Sequence, residues 1–183
     1  MKGSYNRENA VTALAALKVF VASLPSSAPR PNPVIPSTVV WPGRFQRVGN
    51  FILDGAHNPP GARALLDNLE KQEGFGSFNL VAGFCGDKDV NEILSILAPA
   101  FRRGFAVQTN NSRSLSSEET ALKMRDAGID AVPCESVRQA LDRADGTPSV
   151  VCGSLFLVGE ALAELGAYPW GSIRVDAAER MVV

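Results

Sequence analysis

The segment from Phe51 to Gly61 constrains the fold more than any other stretch of this chain. Phe51, Ile52 and Leu53 form a short apolar run of the buried-strand type, and the run stops at an acid and a glycine. Asn58 is a favoured N-cap, and Pro59 follows at the first helical position, where its missing N–H leaves no helical bond unmade. Ala62, Leu65, Leu66 and Leu69 then recur at helical spacing. The predicted order is strand, tight loop, helix, with Asp54 and His57 in the loop. Open α/β sheets collect ligands at such places, at the carboxyl end of a strand and beside the positive end of a helix.

The same unit recurs downstream. Phe78–Phe84 reads as a strand, and Val90, Ile93, Leu94, Leu97 and Phe101 give a helix face. Gly104–Gln108 reads as the next strand, and Ser116 with Glu119 forms a capping box for a helix reaching about Ala127. Ala131–Cys134 is a short strand, followed by a second capping pair, Ser136 and Gln139, with Val137, Ala140, Leu141 and Ala144 facing inward. Ser149–Cys152 is the last strand, and Leu155, Val158, Leu162 and Leu165 line the last helix. Strands alternating with helices of this length build βαβ units. The expected class is α/β, with a Rossmann-like, mostly parallel sheet and helices on both faces.

A lone helix precedes this unit. Ala10, Leu14, Leu17, Val21 and Leu24 make an amphipathic face, and Pro25 ends it. Pro25–Pro36 is rich in Pro, Ser and Ala, which suits a linker and neither helix nor central strand. The expected organisation is a helix over 1–24, a linker over 25–37, one α/β domain over 38–170 and a tail over 171–183.

With 183 residues, 45% of them hydrophobic, the chain can bury one core. A net charge of -1 without a basic stripe argues against nucleic acid as a partner. Cys85, Cys134 and Cys152 are scattered without metal-site spacing, so no metal centre is expected, and free thiols fit a reducing compartment. No signal peptide or bilayer-length apolar run is seen, so a soluble, cytoplasmic protein with no membrane partner is expected. The Gly-x-x-x-x-Gly-Lys-Ser/Thr loop, Gly-x-Gly-x-x-Gly and Gly-x-Ser-x-Gly are all missing. A self-contained ATPase, a dinucleotide-dependent dehydrogenase and an α/β-hydrolase are therefore unsupported.

Trp41-Pro42-Gly43-Arg44-Phe45-Gln46, followed by Asp54-Gly55-Ala56-His57-Asn58-Pro59, resembles the C-terminal domain of folylpolyglutamate synthase/dihydrofolate synthase, in the Mur-ligase-type superfamily. Asn9–Leu14, Gly86-Asp87-Lys88-Asp89 and Gly153–Gly159 extend the resemblance in the right order, from about Ser4 to about Trp170. It implies an ATP-dependent amide ligase that phosphorylates a carboxylate of a pteroate or folate, after which the amine of L-glutamate attacks the acyl phosphate. ATP and Mg²⁺ would be held mainly by an N-terminal domain absent from this chain; N-terminal and central ligase domains would be its partners, and this chain alone would be inactive. The leading helix would then be the end of the central domain.

The resemblance also implies roles for single residues. Arg44 would reach the ATP phosphates from the hinge, where a guanidinium fork suits phosphate oxygens. Asp54 and His57 would face the ATP site and are the candidate catalytic pair. Ser154, with His57, would lie near the incoming glutamate, although serine before a helix is also simply a cap. Lys88 and Arg113 are weaker candidates for substrate contact. Two other readings remain open, a stand-alone binding module and a ligase of cell-wall peptides. The Trp-Pro-Gly-Arg form of the hinge favours the folate branch.

Overall fold

The structure, a computed structural model, describes residues 4–25, 27 and 41–167. Pro25 and Ser27 apart, the expected linker lies outside the described residues, as does the tail from 171.

In chain order the elements are α1 (Ser4–Ser23), β1 (Gln46–Val48), β2 (Phe51–Leu53), α2 (Pro59–Leu69), β3 (Phe78–Ala82), α3 (Val90–Leu97), β4 (Phe101–Ala106), α4 (Ser117–Asp126), β5 (Asp130–Pro133), α5 (Val137–Ala144), β6 (Ser149–Cys152) and α6 (Leu155–Glu164). The strands form one sheet in the order β1-β2-β6-β3-β4-β5. All neighbours are parallel except β1, which runs antiparallel to β2.

Because strand side chains alternate, each strand feeds both faces. Ile52, Leu80 and Val150 point to one face and pack with Leu65, Leu69, Ile93, Leu94, Leu97 and Met124 of α2, α3 and α4. Leu53, Val81 and Val151 point to the other and pack with Val137, Leu141, Leu157 and Leu162 of α5 and α6. The expected mostly parallel sheet with helices on both faces is therefore what forms. Gly104 in β4 makes room for α4, since a Cβ there would collide with the Met124 side chain.

The helix starts follow from local chemistry. Asn58 accepts the Gly61 N–H at 2.8 Å, with Pro59 in the first turn. Ser116 and Glu119 form the full reciprocal capping box. The second pair differs: Ser136 accepts the Gln139 N–H, but the Gln139 side chain accepts from Glu135 N–H, one residue outside the box.

Several boundaries depart from the sequence reading. Phe101 opens β4 instead of closing the α3 face, because Pro99 cannot continue the helical bonds and Ala98–Ala100 tightens into a 3₁₀ turn. Strand β1 was not foreseen; it joins β2 through the two-residue turn Gly49-Asn50, with Gly49 at φ 58. Leu155 is 51% exposed at the mouth of α6, and Leu157 takes the inward position. In α1 the residues of the predicted face are half-buried while the others from Asn9 to Ser23 are exposed, so the face exists but none of it is buried.

Asn58→Ala removes only the cap of α2. It should lower stability by about 1 kcal/mol, read from denaturant or thermal unfolding.

Candidate functional site

Strand β6 lies between β2 and β3, yet the helix after it packs on the opposite face from the helices after its two neighbours. The chain leaves adjacent strand ends in opposite directions, which opens a crevice at the carboxyl edge. Three segments border it: the loop 54–58 after β2, Gly153-Ser154 after β6, and the hinge 41–46.

These segments are tied backbone to backbone. Asp54 N–H donates to Val151 C=O at 3.0 Å, Gly153 N–H to Ala56 C=O at 2.9 Å, and Gly55 N–H to Gly43 C=O at 2.8 Å. Gly153, at φ 109, comes so close to the loop after β3 that a Cβ there would lie 2.7 Å from the Gly83 carbonyl oxygen and from the Phe84 ring. Only glycine fits that position.

Asp54 is buried, and both its oxygens accept backbone N–H groups: Oδ2 from Phe45 at 2.8 Å and Oδ1 from Ala56 at 2.9 Å. Burial pushes its carboxyl above the ordinary 3.8, and this outweighs the two N–H donors and the nearby Arg44 charge, which pull the other way. Asp54 and His57 do not bond to each other. The His57 Nδ1 instead meets the Gly55 carbonyl at 2.7 Å. A carbonyl only accepts, so Nδ1 carries the proton and Nε2 is left for another partner.

Arg44 is half-buried, and its guanidinium makes no hydrogen bond or ion pair with any described residue. It lies over Gly55, with Nη1 3.3 Å from where a Cβ on that glycine would sit. The Leu155 side chain crowds the same position, with Cδ2 2.3 Å from where that Cβ would sit. Ser154 is buried and caps α6, its Oγ accepting the Phe156 N–H at 3.1 Å, so its own proton remains to be donated.

Lys88 and Arg113 are brought together, but on Asp87, at 3.2 and 3.3 Å from its Oδ2. The Lys88 contact holds the Asp87 carboxyl below its ordinary value. Asp89 caps α3 through the Glu92 N–H. The loops carrying these residues are joined by Gly86 N–H to Arg113 C=O and Leu115 N–H to Phe84 C=O, both 2.9 Å. An open groove of about 810 Å³ lies further along the sheet edge, lined by Thr109, Asn110, Glu135, Ser136 and Glu160 among others. It contains none of Arg44, Asp54, His57 or Ser154.

Among the described residues, the crevice therefore offers one guanidinium without a bonded partner, one imidazole nitrogen, one hydroxyl proton and the N-terminus of α6. The guanidinium, the hydroxyl proton and the helix N-terminus fit anionic oxygens, whereas Nε2, with Nδ1 holding the proton of the neutral ring, accepts a hydrogen bond. The set does not fit a bare divalent cation, since the Asp54 oxygens are already engaged and no described cluster of three His, Cys, Asp or Glu side chains could hold one. Phe45 and Leu155 shape the crevice; the sequence marked them only as part of the hinge motif and as a helix-face residue, not as site residues.

The family described as "Mur ligase, glutamate ligase domain" matches residues 43–154. The chain belongs to that family, as a C-terminal ligase domain of the folylpolyglutamate synthase/dihydrofolate synthase type. It is 30% identical over 190 residues to dihydrofolate synthase/folylpolyglutamate synthase of Mycobacterium tuberculosis, covering 98% of this chain and 38% of that protein. The structure of the M. tuberculosis folylpolyglutamate synthase complexed with ADP and AMPPCP superposes with a TM-score of 0.78 at 30% identity, over 92% of this chain and 42% of that one. Escherichia coli FolC in complex with DHPP and ADP gives a TM-score of 0.69 at 26% identity, over 87% and 39%. The chain thus spans well under half the length of these relatives.

The Asp54 carboxyl should titrate above 3.8 in a site-resolved carbon NMR titration. The fold then prefers its protonated form. Its contribution to stability should improve as pH falls from above the raised value toward the unfolded one, and worsen as pH rises through that window. A midpoint at or below 3.8 would contradict burial as the dominant influence.

Proposed function

We propose that this chain is the C-terminal part of an ATP-dependent amide ligase that adds L-glutamate to dihydropteroate or folate through an acyl phosphate. The observation that carries the reading is Arg44, whose guanidinium has no bond to any described residue, is anchored in the hinge and is held over the loop after β2. Its fork faces the γ- and β-phosphate oxygens of ATP when the domains close, and offsets the charge that builds up during phosphoryl transfer. His57, through Nε2, and the Ser154 hydroxyl at the N-terminus of α6 meet the incoming glutamate, whose carboxylates suit a helix N-terminus. Asp54 holds the loop and hinge in place for both.

In the reaction a carboxylate oxygen of the pteroate takes the γ-phosphoryl group and ADP leaves. The glutamate nitrogen then attacks the carbonyl carbon, phosphate departs and the amide forms. An N-terminal domain would supply the phosphate loop and the Mg²⁺ ligands, and this domain positions and clamps. The names of the relatives support the folate branch over a cell-wall peptide ligase and over a stand-alone binding module.

In the complete ligase, Arg44→Ala should lower kcat/KM by about a hundredfold or more, a loss typical of removing a charge-stabilising donor. The melting temperature should change little, because the guanidinium makes no bond within the described fold. Steady-state kinetics beside a melting curve reads both, and wild-type turnover would refute the assignment.

A further inference from the structure

We propose that Phe45 and Asp54 form a backbone latch that fixes the direction of Arg44, making both of them positioning residues for the anion that Arg44 binds. This deepens the ligase reading and rests on it for the identity of that anion.

Phe45 is the one non-glycine residue with positive φ among those described, at 47°. Left-handed backbone at such a residue costs roughly 1–3 kcal/mol and persists only where the surroundings hold it there. Two holds are present. The ring is buried, 8% exposed, and belongs to the same core cluster as Ile52 and Ala56. The Phe45 N–H donates to Asp54 Oδ2 at 2.8 Å.

The geometry makes this a direction-setting device. Rotation about the Phe45 N–Cα bond swings Arg44 relative to the ring, so an anchored ring and a fixed φ leave Arg44 one bearing. The N–H bonded by Asp54 belongs to the peptide group that joins Arg44 to Phe45, and the carboxylate pins that plane directly. The second oxygen of Asp54 holds the Ala56 N–H, beside His57. Gly55 N–H closes the arrangement onto Gly43 C=O at 2.8 Å. One buried carboxylate therefore references the hinge arginine to the loop of the only histidine in the chain. This use of Asp54 differs from direct contact with a nucleotide, and the two make different predictions.

The test uses this full chain with inorganic tripolyphosphate as the probe. Nitrogen relaxation of the Arg44 Nε–H should show an ordered side chain in the wild type and a mobile one in Asp54→Asn and in Phe45→Gly. Where Asp54→Asn does not fold, Phe45→Gly carries the test, since glycine takes a positive φ without strain. A folded variant with unchanged Arg44 order overturns the latch. Affinity supplies the second arm. Arg44→Ala should raise the tripolyphosphate Kd about tenfold, equivalent to about 1.4 kcal/mol. Asp54→Asn should raise it severalfold with Arg44 present and not at all in the Arg44→Ala background, the signature of one residue acting through another. Equal losses in both backgrounds would mean that Asp54 meets the anion itself, and the latch would fail. If Arg44→Ala leaves the Kd unchanged, the phosphate reading fails, while the relaxation data still decide the latch.

Discussion

The insertion of β6 between β2 and β3 is the constraint on which the rest of the structure depends. It pairs Ile52 with Val150 on one side and Leu80 with Val150 on the other, so a single strand knits together the two halves of the sheet. It also requires the long return through α5 to the opposite face. The crevice, the close approach of Gly153 to Gly83, and the placing of Ser154 beside the loop after β2 all follow from that return.

Within the crevice most polar groups are already committed. Asp54 binds two backbone N–H groups, His57 uses Nδ1 on a carbonyl, and Ser154 caps a helix. What remains available among the described residues is small: three groups that favour anions, a guanidinium, a hydroxyl proton and a helix N-terminus, and one acceptor, Nε2 of His57. Lys88 and Arg113 neutralise Asp87 at the surface, where solvent screening leaves such pairs little weight in stability. The polar groups that shape the site are thus largely distinct from those left to act in it.

Much of the fold was legible because its signals are local. The Asn58 and Ser116 caps, the apolar run at Phe51–Leu53 and the inward residues of α5 all stand where short-range chemistry puts them. What escaped the sequence depends on distant partners. Phe101 continues an apolar helical period, and only Pro99 and pairing with β3 make it a strand. Leu155 fits the helix face by spacing, but the crevice beside Gly55 claims it. The site residues were found through motifs, while the contacts of Asp54 were not, since nothing in the spacing of Phe45 and Asp54 reveals a bond between them. The positive φ of Phe45 is equally silent in the sequence.

The central claim is that this domain supplies one wall of a ligase site and not the whole. Folate- and glutamate-dependent ADP release, measured for the purified chain alone and again after adding a fragment carrying the N-terminal and central ligase domains, tests it most directly. The account predicts no release by the chain alone, because backbone amides of a glycine-rich loop are missing around the phosphates, and release once the fragment is present. Ligase turnover by the chain alone, free of contaminating enzyme, would contradict it.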